Sequence, residues 1–186
     1  MNKRIMIDNG SIDVIYASSG QLNAIVPSGT GTTGTATIQV SADLSFPTAA
    51  WSIPLAPSAP SIFTLNATGV GPGAIVNQDG SINTPSNPAS RGTAIQIYAT
   101  GGGPTSPASN AGDVAKTAAS LTLPVTLTIG GENAQVLYAG NAPGEVVGLV
   151  QINAMIPQTL TPGTALPILV TIGGVASQTG VTVAIQ

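Results

Sequence analysis

Gln21-Leu22-Asn23-Ala24-Ile25-Val26-Pro27 returns later in the chain as Gln151-Ile152-Asn153-Ala154-Met155-Ile156-Pro157. The preceding stretch, Ile7-Asp8-Asn9-Gly10-Ser11-Ile12-Asp13-Val14-Ile15-Tyr16-Ala17, returns as Ile129-Gly130-Gly131-Glu132-Asn133-Ala134-Gln135-Val136-Leu137-Tyr138-Ala139, with Tyr-Ala in register and aliphatics under aliphatics. Repetition of separated blocks in one order marks a repeated structural unit. Between the blocks the later copy carries eight extra residues within Gly140 to Val150, the mark of a lengthened hairpin loop. Both copies run on through Gly-Thr-Ala, at Gly34 to Ala36 and Gly163 to Ala165.

Both blocks alternate apolar and polar residues over short β-branched runs, which is the period of a half-buried strand. Similar runs occur at Thr35 to Val40, Ala94 to Thr100, Val125 to Ile129, Leu166 to Ile172 and Gly180 to Ile185, separated by turn-forming clusters. The chain's 15 prolines and 23 glycines, many of them in those clusters, leave no room for a long helix. Val114 to Ala119 is the one Ala-rich stretch and allows a turn of helix at most. These features predict an all-β protein, an immunoglobulin-like antiparallel β-sandwich with strands at sandwich spacing. The later copy has a front portion, Pro60 to Leu123, that has no counterpart before Ile5. Residues 1–57 are therefore read as a truncated Ig-like module and residues 58–186 as a complete one. A half sandwich leaves an inner face and strand edges uncovered, so the expectation is either packing against the complete module or self-association, by strand donation among other routes, with a homo-oligomer through the incomplete module as the partner expected.

Composition narrows the function. Among 186 residues there are four Lys and Arg, seven Asp and Glu, no His and no Cys. Nucleic-acid affinity comes from neutralising several phosphates, and no basic stripe is present to do so. Without His and Cys the usual zinc ligand sets are missing, and so is the general base of Ser-His and Cys-His mechanisms. Met1 to Arg4 is a charged start, but the apolar run Ile5-Met6-Ile7 stops at Asp8, too short for a signal peptide. No stretch is long and apolar enough to span a membrane.

Asn77-Gln78-Asp79-Gly80-Ser81-Ile82-Asn83, Asn87-Pro88-Ala89, Arg91-Gly92, Ile97-Tyr98-Ala99-Thr100-Gly101-Gly102-Gly103-Pro104 and Gln151-Ile152-Asn153 follow one another in the order of a known group. The chain resembles the uncharacterised C-terminal module abundant in Solibacter and other Acidobacteria, with Gly102 standing where that family commonly has Leu. The resemblance covers most of the chain. It implies an Ig-like sandwich related to IPT/TIG domains, carried at the C-terminus of large secreted or cell-surface proteins, and it implies no catalytic chemistry.

Two sets of side chains are candidate sites. Asn77, Asp79 and Asn83 place oxygens at intervals around a Gly turn, as a hard cation such as calcium requires, and Asp113 completes the set if folding brings it close. Glu145 is a further carboxylate of the same kind. The simpler reading is that Asp79-Gly80 forms a two-residue hairpin turn between strands. Tyr16, Tyr138 and Asn153, with Gln21, Asn23 and Gln151, make polar and aromatic patches of the kind that contact carbohydrate or another small neutral ligand. Their repetition favours a structural role, satisfying backbone groups at sandwich corners. Trp51, with Ile53 and Leu55 at alternate positions, is expected in the core or between modules. Lys116 with Ser109 or Ser120 is the only remaining nucleophile and base pairing, and a weak one.

The resulting expectation is a non-catalytic Ig-like interaction or adhesion module of a secreted or cell-surface bacterial protein, with no required cofactor. The alternative is a calcium-dependent hydrolase of esters or lactones, such as acyl-homoserine lactones, in which the cation polarises the carbonyl and activates water.

Overall fold

The computed structural model describes residues 4–8, 10–12, 14–27, 29–41 and 49–186, and among them it is all-β with no helix. The first strands are β1 (Arg4–Ile7), β2 (Gly10–Ile12), β3 (Val14–Ala17), β4 (Leu22–Ala24), β5 (Thr35–Ser41) and β6 (Trp51–Pro54). Next come β7 (Ser61–Ile62), β8 (Gly71–Pro72), β9 (Ile75–Asn77), β10 (Ala94–Thr100), β11 (Thr105–Ser106) and β12 (Ser120–Leu121). The last are β13 (Val125–Ile129), β14 (Glu132–Asn141), β15 (Val150–Met155), β16 (Gly163–Ile172), β17 (Val175–Ala176) and β18 (Val181–Ile185).

Strands β2-β1-β5-β6 form one sheet and β3-β4 a separate hairpin, while β7 to β18 join into a single curled sheet along β7-β10-β15-β14-β13-β16-β18-β8. Two hydrophobic clusters follow that division. The larger holds Ile62, Ile75, Ile95, Ile97, Leu127, Ile129, Ile152, Ile168, Val170 and Val183, and the smaller is built on Ile5, Ile7, Ile12 and Ala36. The two sets of strands touch where Ile25 packs on Gly148, at φ +125°; a Cβ there would lie 3.0 Å from Ile25 Cγ2.

Strand register repeats as the sequence does. Ile5 faces Ile12 and Ile7 faces Gly10 in the β1–β2 pair, as Leu127 faces Ala134 and Ile129 faces Glu132 in β13–β14. Ile7 faces Ile38 and Ile5 faces Val40, as Ile129 faces Ile168 and Leu127 faces Val170. Ala36 faces Ile53 as Leu166 faces Val183. In both hairpins Tyr pairs with Asn, Tyr16 with Asn23 and Tyr138 with Asn153, and in both the register shifts in the step just before the Tyr. At that bulge Ile15 and Leu137 are exposed, and in β14 two consecutive residues, Leu137 and Tyr138, separate the core-packed Val136 and Ala139 and break the alternation.

A compensated difference between the copies lies at the β1–β5 crossing. Asp8 adopts φ +47° where Gly130 has φ +59°. The Asp8 N–H donates to the Thr37 carbonyl (3.0 Å), and the Thr37 N–H donates back to Asp8 Oδ1 (2.7 Å). The later copy has Pro167 in the place of Thr37, and the Gly130 N–H donates to its carbonyl (2.8 Å). Proline has no N–H to satisfy, so glycine suffices opposite it.

One local expectation is corrected. The turn after β9 is a three-residue loop: Gly80 N–H donates to the Asn77 carbonyl and Asn77 N–H to the Ser81 carbonyl, with only Gly80 left-handed at φ +84°. A two-residue turn of the hairpin type needs positive φ at Asp79 as well, and Asp79 instead caps the Ser81 N–H with its carboxylate. Val114 to Ala119 is not helical, because Val114 bridges to Val146 and the Ala119 carbonyl accepts from the Asn141 N–H. Finally, β8 pairs with β18 in parallel, a departure from an antiparallel plan, through Gly71 N–H to the Gly180 carbonyl and Gly73 N–H to the Thr182 carbonyl.

Candidate functional site

The Asn-rich turn closes on itself. Asn83 is buried, and its Nδ2 donates to Asn77 Oδ1 (2.9 Å) and to the Ala184 carbonyl (2.8 Å), while its Oδ1 accepts from the Ala184 N–H (2.8 Å). Asn77 Nδ2 donates to the Asn87 carbonyl and to Ser81 Oγ, and Asn87 Nδ2 donates to Ser81 Oγ and the Ile82 carbonyl. Asp79 Oδ1 accepts from the Ser81 hydroxyl (2.6 Å) and N–H (3.0 Å), and that hydroxyl, then the N–H, holds the fully exposed carboxyl below its ordinary range. These bonds tie the β9 hairpin to the last strand, β18.

Asn77, Asp79 and Asn83 therefore do share one cluster. Asn77 and Asp79 also line an open depression of about 400 Å³, with Gln78, Asn87, Thr93 and Gln186. Asp113 lies elsewhere, in the loop between β11 and β12, where its Oδ2 accepts from Asn110 Nδ2 (3.3 Å) and it does not line the depression. Glu145 sits in the β14–β15 loop, its carbonyl bonded by the Ala115 N–H. Among the described residues no three Asp or Glu side chains converge.

The tyrosine and asparagine candidates fall on two similar hairpins, Tyr138 paired with Asn153 on β14–β15 and Tyr16 on β3–β4. On β14–β15 the Tyr138 hydroxyl donates to the Asn141 carbonyl (2.7 Å) and its ring lies over Gly140. Burial pushes the Tyr138 phenol up from its ordinary pKa. Tyr16, its counterpart on β3, is half exposed. Asn153 Oδ1 accepts from Gln151 Nε2 (2.9 Å), and Asn23 Oδ1 accepts from Gln21 Nε2 (2.7 Å), the same bond in each copy.

Three residues outside the sequence-based set, Gln96, Tyr98 and Phe63, join this patch. In β10 the apolar Ile95, Ile97 and Ala99 turn inward, so Gln96 and Tyr98 turn outward. Register then sets Gln96 beside Asn153 and Tyr98 beside Gln151, and the Phe63 N–H bonds the Tyr98 carbonyl at the next edge. Alternation in Ala94 to Thr100 marks both as outward-facing; only the long-range pairing of β10 with β15 brings them to the patch. The outcome is an uncharged face of Phe63, Tyr98, Gln96, Gln151, Asn153 and Tyr138, able to stack on and hydrogen-bond a neutral polar ligand.

Trp51 is 52% exposed and not packed in the core. Its position on β6 matches Val181 of β18, which the front-half strand β8 covers. Ser109 Oγ is taken up by Asn141 Nδ2 (2.8 Å) and Thr105 Oγ1 (3.4 Å), structural bonds in place of a base. Every buried side-chain nitrogen and oxygen among the described residues has a hydrogen-bond partner within the protein. Comparison with protein-family models, with curated proteins and with solved structures finds no match for this chain.

Proposed function

We propose that the chain is a non-catalytic, Ig-like interaction module of a secreted or cell-surface bacterial protein, complete over residues 58–186 and truncated over residues 1–57, akin to the Acidobacteria C-terminal module and to IPT/TIG domains. The observation that carries this reading is the use made of the polar groups. The Asn, Asp and Tyr side chains that offered themselves as ligands are bonded to the protein's own backbone and to one another. What remains outward is an uncharged amide and aromatic face, suited to contact rather than to proton transfer. The repeated strand register supports two copies of one unit, the first of which associates with a second copy of the chain. Neutral ligands such as carbohydrate fit the outward face of β10, β15 and β14.

The test is hydrolysis of a panel of esters and lactones with and without EDTA, beside Asp79→Ala and Asp113→Ala. Absence of turnover above blank is expected. Saturable, metal-dependent turnover lost in either variant would overturn the reading.

A further inference from the structure

The chain passes from strands β1 to β6 into strands β7 to β18 through Ala56-Pro57-Ser58-Ala59-Pro60, a composition that reads as a linker. The later strands take it up. Ser58 is buried and its hydroxyl donates to the Ile172 carbonyl (2.7 Å). The Ala59 N–H donates to the Gly101 carbonyl (2.9 Å), and Pro60 is buried. Gly101, at φ +74°, and Gly103, at φ +81°, make the room for this. A Cβ on Gly101 would overlap the Ala59 carbonyl oxygen, and one on Gly103 the Pro57 carbonyl oxygen, whereas one on Gly102 would meet Leu121 and Val150. The Gly-rich run before Pro104 is thus a seat for the incoming chain.

The connection is held as closely on its other side. The Leu55 N–H donates to the Gly34 carbonyl (2.9 Å), and Leu55 packs against the smaller hydrophobic cluster. Ala56 and Pro57 lie between that anchor and Ser58. The proline ring fixes one of their backbone angles, and a residue before proline is confined to extended conformations. A second contact acts away from the connection, where Ile25, just after β4, packs on Gly148. The Gly148 carbonyl accepts from Thr100 Oγ1 (3.3 Å), and Thr100 immediately precedes Gly101, so both contacts are built on one end of β10. Units joined in one chain move against each other by default. A stiff connection of two residues with a second point of contact removes that freedom.

We propose that Gly101, Gly103 and Gly148 form a docking socket for the preceding unit of the same chain, so that strands β1 to β6 and β7 to β18 turn over in solution as one rigid body. Its occupant is the chain's own residues 55–60 together with Ile25. The uncharged face of β10, β15 and β14 is then presented at a fixed setting to the strands before it. The proposal goes beyond the contact reading above and does not depend on what that face binds.

The experiment is amide nitrogen-15 relaxation on the whole chain, which gives a rotational correlation time for each unit. Wild type is expected to fit one diffusion tensor. Gly103→Asn combined with Ile25→Ser is expected to give the two units different correlation times, and the Ala59 amide to exchange about tenfold faster as its bond to Gly101 is lost. Asn tolerates positive φ, so the substitution tests the space and not the backbone angle. Gly174→Asn, at φ +84° in open space, is the control and is expected to keep the single tensor. Four residues, Gly-Ser-Gly-Ser, inserted after Ala56 in the Ile25→Ser background leave the glycines in place and are expected to separate the units too; this variant decides if Gly103→Asn does not fold. Different correlation times for the two units of wild type overturn the proposal. So does a single tensor that survives in either folded variant or is lost in Gly174→Asn, and so does an Ala59 amide that exchanges no faster in the folded double variant.

Discussion

Asn83 distinguishes a structural cluster from a cation site by the sign of one experiment. Its side chain makes three bonds of 2.8 to 2.9 Å, to Asn77 Oδ1 and to the Ala184 N–H and carbonyl. Asn83→Ala leaves two groups without partners, Asn77 Oδ1 and the buried Ala184 N–H; the Ala184 carbonyl keeps the Ala89 N–H at 3.0 Å. At about 1–3 kcal/mol for each buried group stranded, the loss is about 2–6 kcal/mol. That is a fall in melting temperature of roughly 10 °C or more for a unit of this size. Asn83→Asp is more telling. The new carboxylate keeps the Ala184 N–H but has no hydrogen to donate, so its second oxygen faces the acceptor oxygens of Asn77 and Ala184 while charged in a buried position, and at neutral pH it costs at least as much as the alanine. A calcium site requires the reverse, because a carboxylate in place of an amide strengthens binding and the bound cation stabilises the fold. The assay is urea unfolding followed by circular dichroism, with millimolar calcium chloride or with EDTA. Unchanged wild-type stability across the two conditions and a destabilised Asn83→Asp are expected. A loss below about 1 kcal/mol in Asn83→Ala, or calcium rescue of Asn83→Asp, would refute the reasoning.

Gly140→Ala is expected to cost at least about 2 kcal/mol, because a Cβ there meets the Ala119 carbonyl and the Tyr138 hydroxyl; thermal unfolding measures it. Tyr138 has a raised pKa in the fold, so its contribution is complete below the unfolded value of about 10 and is lost as pH rises through the folded value. Alkaline difference spectroscopy should show one tyrosine ionising late, and Tyr138→Phe should remove that step. Asp79 has a lowered pKa, so what it gives the turn is present at neutral pH and is lost as pH falls through its folded value; the stability difference between wild type and Asp79→Asn should vanish at the acid end of a pH series of urea unfolding. Asp8→Ala removes the acceptor of the Thr37 N–H and puts a residue less tolerant of positive φ at that turn, a cost of about 1–2 kcal/mol expected in urea unfolding.

Strands were legible where apolar residues alternate between strong turn signals. Ala94 to Thr100 and Val125 to Ile129 are read from sequence with the bounds the structure gives β10 and β13. The paired blocks also register with one another, because a one-residue slip in either copy would turn its aliphatic residues to solvent. What alternation does not carry is anything set by the partner strand. The bulges at Ile15 and Leu137 sit inside runs that read as unbroken strands. The two-residue strands β7, β8, β11, β12 and β17 are too short to have a period. Gln96 and Tyr98 look like the outward residues of an isolated strand until β10 is laid against β15. In the turn cluster, Asn and Asp at intervals suit both a cation and a backbone cap. The choice falls to Ala184, a residue distant in sequence whose N–H and carbonyl Asn83 satisfies.

The extra eight residues of the later hairpin have a physical account in the bonds they make. The loop between β14 and β15 bonds to residues 112–115 of the front portion. Gly112 N–H donates to Val147, Val147 N–H to Asp113, Ala115 N–H to Glu145 and Gly144 N–H to Ala115, each time at the carbonyl. Those four bonds offset the entropy of closing and ordering a longer loop. The earlier hairpin instead turns within Ser18 to Gln21, Ser18 N–H donating to the Gln21 carbonyl (2.8 Å) and Gln21 N–H to Ser18 Oγ (3.1 Å). The shorter hairpin is thus closed by two local bonds, where the longer one is held by four bonds to residues 112–115.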